Sequence, residues 1–146
     1  MFSLSLSSHP QDLASTRMRL LYLTAGAGDM DATTAKQLAK VEGNVEVVSV
    51  DSVEQALAEL RKDGARFRAL LTSPGLTEKE TIALILNLRK AQAPVGIVPV
   101  VTEAHRGLCS SAVAAGADAV LLMLNGQLVD PRETLSRLKP RHPSEA

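Results

Sequence analysis

Five short apolar runs recur along this 146-residue chain, spaced so that one helix fits between each and the next. They are Arg19–Thr24, Val45–Val50, Ala69–Thr72, Val95–Thr102 and Ala119–Leu124. Runs of this length bounded by turn residues suit strands covered on both faces, as in a parallel sheet. Helix signals fill the intervals. Asp29 or Asp31 is placed to cap a helix reaching about Glu42, with Leu38 and Val41 inward and Gly43-Asn44 as its stop. Ser52 with Gln55, and Thr77 with Glu80, have capping-box spacing. Arg106 to Ala115 reads as a small-residue helix ended by Gly116. Asp130-Pro131-Arg132-Glu133 combines an N-cap, a first-turn proline and an acid at the third position. Five strands alternating with five helices predict an α/β fold with helices on both faces of a parallel sheet. Pro99 is the anomaly, because it lacks a ladder donor, and it is expected to shorten or bulge the fourth strand.

The length allows one domain with a sizeable core, expected over residues 19–139. Residues 1–18 are Ser-rich, lack the basic and apolar regions of a secretory signal, and are expected to form a tail. Residues 140–146 are polar and are expected to form a second tail or a linker. Lys plus Arg and Asp plus Glu are 16 each, which argues against a general nucleic-acid binder. The aromatics are Phe2, Tyr22 and Phe67 alone, too few for a base-stacking surface. No apolar run is long enough to span a membrane. Cys109 is the sole cysteine, so no disulfide forms within the chain and a cytoplasmic location is expected.

The Ala69–Thr72 run occupies the middle of the order, and sheets of this kind place their chemistry at the carboxyl ends of the strands. The hydroxyls of Thr24, Thr72, Ser73 and Thr102 are expected at that edge, satisfying each other and water. Gly26 and Gly28 before a helix, with Asp51 after the second strand, form a possible nucleotide loop. Asp31 opposes that reading, since its charge repels a pyrophosphate. His105 and Cys109 are spaced to share a helix face but have no orienting acid. No P-loop, nucleophile elbow or zinc pattern appears, and no metal site or cofactor is expected. The third helix is apolar beyond one stripe, with Ile82 and Leu86 widening Leu84, Ile85 and Leu88, as an interaction surface would be.

Three segments carry a family likeness: Arg68-Ala-Leu-Leu-Thr-Ser-Pro-Gly75, Val100-Val-Thr102 and Ala114-Ala-Gly-Ala-Asp118. With element order and length, they make the chain resemble the receiver domain of two-component response regulators. The resemblance implies a flavodoxin-like (βα)5 fold with strand order 2-1-3-4-5. It also implies an acid pocket in which two carboxylates and a phosphoacceptor Asp hold Mg²⁺, while a Thr or Ser and a Lys contact the phosphoryl group. Here the carboxylate positions fall on Thr24 and Ala25, the acceptor on Thr72 and the lysine on Met123. Thr102 alone keeps its role. Hard Mg²⁺ needs carboxylate oxygens, and acyl-phosphate formation needs a carboxylate nucleophile. The expectation is therefore a pseudo-receiver, not an enzyme: a phosphorylation-independent protein-interaction module in signal transduction. Its expected partner is a signalling protein or a second copy of itself. By resemblance to receiver dimers, Arg106, Ala112, Arg132 and Arg137 join Ile82 and Leu86 as candidate interface residues. A nucleotide or second-messenger sensor acting at the same sheet edge is the alternative.

Overall fold

The computed structural model describes residues 18–26, 28–41, 45–63, 67–93 and 95–138. The expected tails, residues 1–18 and 140–146, lie outside these apart from Met18, as do Glu42, Gly43 and Asn44. The elements run β1 (Met18–Leu23), α1 (Asp29–Ala39), β2 (Val45–Val50), α2 (Val53–Asp63), β3 (Phe67–Thr72) and α3 (Glu78–Lys90). They continue with β4 (Gly96–Thr102), a 3₁₀ turn (Glu103–His105), α4 (Leu108–Ala115), β5 (Leu121–Leu124), β6 (Gln127–Leu128) and α5 (Pro131–Ser136). The sheet order is β2-β1-β3-β4-β5-β6, parallel throughout except for the antiparallel β5–β6 pair. The expected 2-1-3-4-5 sheet is therefore present, with a sixth strand added at its edge.

Strand alternation sends neighbouring residues to opposite faces of the sheet. Leu21, Leu23, Leu70 and Ile97 pack with Leu60, Ile85, Leu88 and Ala112 beneath α2, α3 and α4. Leu20, Tyr22, Leu71, Val98 and Leu121 pack with Leu38 and Leu135 beneath α1 and α5. Two cores on one sheet explain why the strands read as continuous apolar runs rather than alternating ones.

Local signals succeed unevenly. The Thr77 hydroxyl accepts from the Glu80 N–H (3.1 Å) and the Thr77 N–H donates to Glu80 Oε1 (2.9 Å), a complete capping box. At α2 the Gln55 N–H donates to Ser52 Oγ (3.1 Å), but Gln55 Oε1 accepts from the Asp51 N–H (2.9 Å), one residue early. Asp130 does precede α5, yet its side chain makes no cap bond. Its backbone is left-handed rather than in the extended conformation usual for an N-cap. Pro99 neither shortens nor bulges β4. The β3 register ends at Thr72↔Pro99 and the β5 register begins at Val100↔Leu121, so the missing donor falls where β4 changes partners.

The amino edge is tied by ionic and polar contacts. Arg89 Nε donates to the Gly116 carbonyl (2.9 Å), and its guanidinium pairs with Asp118 Oδ2, which also accepts from the Ile97 N–H (2.8 Å). Gly116 sits at φ +124°, and a Cβ there would meet Arg89 Cγ at 2.8 Å, so glycine is required on two counts. Arg68 donates to the carbonyls of Leu135 and Ser136 (2.9 Å each), placing a cation at the negative end of α5.

Candidate functional site at the carboxyl edge of the sheet

Pairing of Leu23 with Thr72, and of Thr72 with Pro99, puts Thr72 at the centre of the carboxyl edge. Its side chain is fully buried, and Oγ1 has no hydrogen-bond partner among the described residues. The neighbouring hydroxyls do not help it. Ser73 Oγ accepts from the Gly75 N–H (2.9 Å), which shapes the Pro74-Gly75 turn, and the Ser73 N–H donates to the Leu23 carbonyl (3.0 Å). Thr102 Oγ1 faces His105 Nδ1 at 3.4 Å, and the Thr24 N–H donates to the Val50 carbonyl (2.8 Å). Among the described residues no hydrogen bond joins the side chains of Thr24, Thr72, Ser73 and Thr102 to one another, and those of Ser73 and Thr102 engage groups in their own loops.

The carboxylate at this edge comes from an unexpected place. Asp31 occupies the third position of α1 and is only 8% exposed. It accepts from the Tyr22 hydroxyl (2.7 Å) and from the Ala25 N–H (3.1 Å). Neither Asp29 nor Asp31 caps α1; Gly28 is the N-cap and no side chain bonds there. Asp31 turns inward to the phenol instead. Burial pushes the Tyr22 hydroxyl well above its ordinary pKa and the Asp31 charge adds to this, while Ser73 and Thr34 side chains work in the opposite direction. Tyr22 is therefore a neutral donor. Asp31, tied to it and to the loop, is a brace rather than a metal ligand, and no cluster of three His, Cys, Asp or Glu side chains exists among the described residues.

The glycine loop has the backbone a ligand would need, with φ +72° at Gly26 and +61° at Gly28 and open space at both Cβ positions. Its first N–H, that of Ala25, is already bound to the Asp31 carboxylate. A phosphate at that N–H would meet the charge of a buried carboxylate. Asp51 is exposed, and its own N–H is taken by Gln55.

Met123, at the lysine position of the resemblance, is buried in β5. Beyond it the Asn125-Gly126 turn, with φ +51° and +77°, reverses the chain into β6. Gln37 on α1 holds the tip: its amide donates to the Gly126 carbonyl (2.5 Å) and accepts from the Leu128 N–H (2.7 Å). Asn-Gly between apolar residues is a strong hairpin signal and was available in the sequence. A cleft of about 440 Å³ opens between this tip, the start of α1 and the end of β4, with Met30, Thr102 and Met123 in its lining.

His105 and Cys109 do not share a helix face, because the chain leaves the 3₁₀ turn at Arg106-Gly107 before α4 begins. Ala112 is not a surface residue; it is fully buried against the sheet. Of the other candidate interface residues, Leu86 is 51% exposed, Ile82 half-buried, and Arg106, Arg132 and Arg137 exposed. Val113 on α4 is a further exposed apolar residue that the sequence reading did not single out.

No protein-family model matches the chain, and no curated protein matches it by sequence. Solved structures do. A pilus assembly-related protein of Burkholderia pseudomallei superposes with TM-score 0.63 at 17% identity, covering 88% of this chain and 96% of its own. A response regulator receiver domain of Clostridium thermocellum gives 0.56 at 14%, covering 82% and 91%. The fold is that of a receiver domain. A CheY-like protein, TadZ, of Pseudomonas aeruginosa shares this receiver fold at TM-score 0.60 and 23% identity, covering 87% and 99%. Within the receiver fold Thr24, Ala25, Thr72, Thr102 and Met123 stand at the ends of β1, β3, β4 and β5, on one edge of the sheet. Among the described residues no helix is long and apolar enough to cross a membrane.

Proposed function

We propose that this chain is a pseudo-receiver: a cytoplasmic, non-enzymatic module of bacterial-type signalling that works by binding a protein partner without phosphorylation. The observation that carries the reading is Thr72, a neutral hydroxyl buried without a hydrogen-bond partner among the described residues, where the resemblance places the phosphoacceptor carboxylate. A buried hydroxyl has no base to activate it, and a phosphoryl group delivered there would lack the metal or lysine that offsets its charge. Asp31, the buried acid of this edge, is engaged by Tyr22 and Ala25. The fold-level likeness to a pilus assembly-related protein supports a role in an assembly machinery. Sensing of a nucleotide is the weaker reading, since the glycine loop already holds a carboxylate.

The test is incubation with acetyl phosphate and Mg²⁺ followed by intact mass, with a parallel NMR titration of beryllofluoride. An unchanged mass and unmoved Thr72 and Thr102 amides are expected. A gain of one phosphoryl group, or shifts concentrated at those residues, would overturn the reading.

A further inference from the structure

The cleft beside the hairpin tip has a lining that specifies its occupant. Met30 and Met123, with Ala104, form apolar walls, and Asp29 and Glu103 stand beside them. Met30 keeps 40% of its surface exposed, so the apolar wall is open to solvent. Among the described residues Asp29 and Glu103 make no ion pair and no basic side chain lines the cavity. Asp29 is also the first residue of α1, where the helix dipole favours a charged carboxylate.

This combination narrows the chemistry. A phosphate or carboxylate ligand meets two uncompensated negative charges. A small hydrated cation makes no use of the methionine walls, and a purely apolar group leaves the carboxylates unanswered. A cationic head on an alkyl stem satisfies both. The geometry points to this cleft as the docking site for an arginine or lysine side chain presented by a partner polypeptide. It deepens the interaction-module reading and rests on it. The stem packs on the Met30 and Met123 thioethers, which adapt their rotamers to it. The head reaches the Asp29 and Glu103 carboxylates, and the Thr102 hydroxyl lining the same cavity is a further acceptor.

The methionine methyl groups report the event directly. The chain has four methionines, of which Met30 and Met123 line the cleft and Met18 belongs to β1. The ¹³C-methyl-labelled protein is titrated with an acetylated Ala-Ala-Arg-Ala-Ala amide and with its citrulline isostere, which keeps the shape and removes the charge. Saturable shifts of the Met30 and Met123 methyls are expected, with Met18 unmoved. Affinity is expected to fall about fivefold for the citrulline peptide and for the Asp29→Asn/Glu103→Gln variant, both of whose sites are exposed. It also falls when NaCl is raised to about 0.5 M. Unmoved Met30 and Met123 methyls, equal binding of the citrulline peptide, or an unaltered affinity in the double variant would each overturn the assignment. Failure here without phosphoryl uptake from acetyl phosphate leaves the interaction module intact with a different surface, whereas phosphoryl uptake overturns that reading whatever the peptide does.

Discussion

The two edges of this sheet are built to different standards. At the amino edge, Arg89, Gly116, Asp118 and Ile97 form a closed set in which one carboxylate serves a backbone N–H and a guanidinium. At the carboxyl edge, Thr72 is just as buried and its hydroxyl bonds to nothing described. Both contain segments that carry the receiver likeness. The Gly-Ala-Asp segment is explained by architecture alone, because it fixes α3 and α4 to the start of β4. The Thr72 segment has the location of a reactive centre and none of its polar support. Polar satisfaction, rather than likeness of motif, separates the two.

The comparison can be broken first at the amino edge. Asp118→Ala leaves the Ile97 N–H and a largely buried guanidinium without their shared acceptor. A loss of about 3 kcal/mol is expected in urea titration, with a fall in Tm of roughly 10 °C. A loss under about 1 kcal/mol would mean that the corner is not the structural tie described.

Asp31→Ala is the matching change at the carboxyl edge, and it removes the shared acceptor of a buried phenol and the Ala25 N–H. About 2 kcal/mol is expected, with faster amide exchange confined to the β1–α1 loop. If Asp31 instead repelled its surroundings as a spare ligand, its removal would stabilise the fold.

Tyr22 gives the pH dependence of the same brace. Its folded pKa is raised, so the folded chain binds the phenolic proton more tightly than the unfolded chain. That stability is fully present below the unfolded value of 10.0 and is lost as pH rises through it toward the folded value. Tyr22 is the sole tyrosine and there is no tryptophan, so absorbance near 295 nm follows one residue. No phenolate signal is expected at pH 10 while the protein is folded. Tyr22→Phe removes its share of the alkaline loss. A normal titration midpoint would contradict the buried Tyr22–Asp31 pair.

Gln37→Ala should have the smallest effect, about 1 kcal/mol, because its two bonds lie at a partly exposed turn. Loss of protection at the Leu128 amide reads it locally.

Most of the architecture was legible because it rests on local signals: five apolar runs, the Thr77–Glu80 box, and the proline at the start of α5. What was misread depends on contacts across space. Asp31 has the spacing of a cap, yet a tyrosine nine residues earlier claims it, and nothing in the spacing of polar residues reveals that. Ala112 was a candidate interface residue by resemblance, but small residues pack inward as readily as outward, and helix phase decided it. Pro99 is tolerated because the strand changes neighbours at that residue, a matter of register. The β6 hairpin is a different case, since Asn125-Gly126 carried the signal and the two-residue strand after it was too short to read as one. At the site itself, the missing acceptor and lysine were implied by the resemblance, while the buried state of the Thr72 hydroxyl and the methionine-walled cleft needed coordinates.

Thr72→Val is the most direct measurement of the central claim, because it removes the hydroxyl and keeps the shape. If the hydroxyl is a buried group with no partner and no function, the free energy of unfolding in urea will stay level or rise by up to about 1 kcal/mol. A loss of more than about 1 kcal/mol would show that the hydroxyl is engaged in the folded protein, and would contradict the account of an edge whose chemistry is gone.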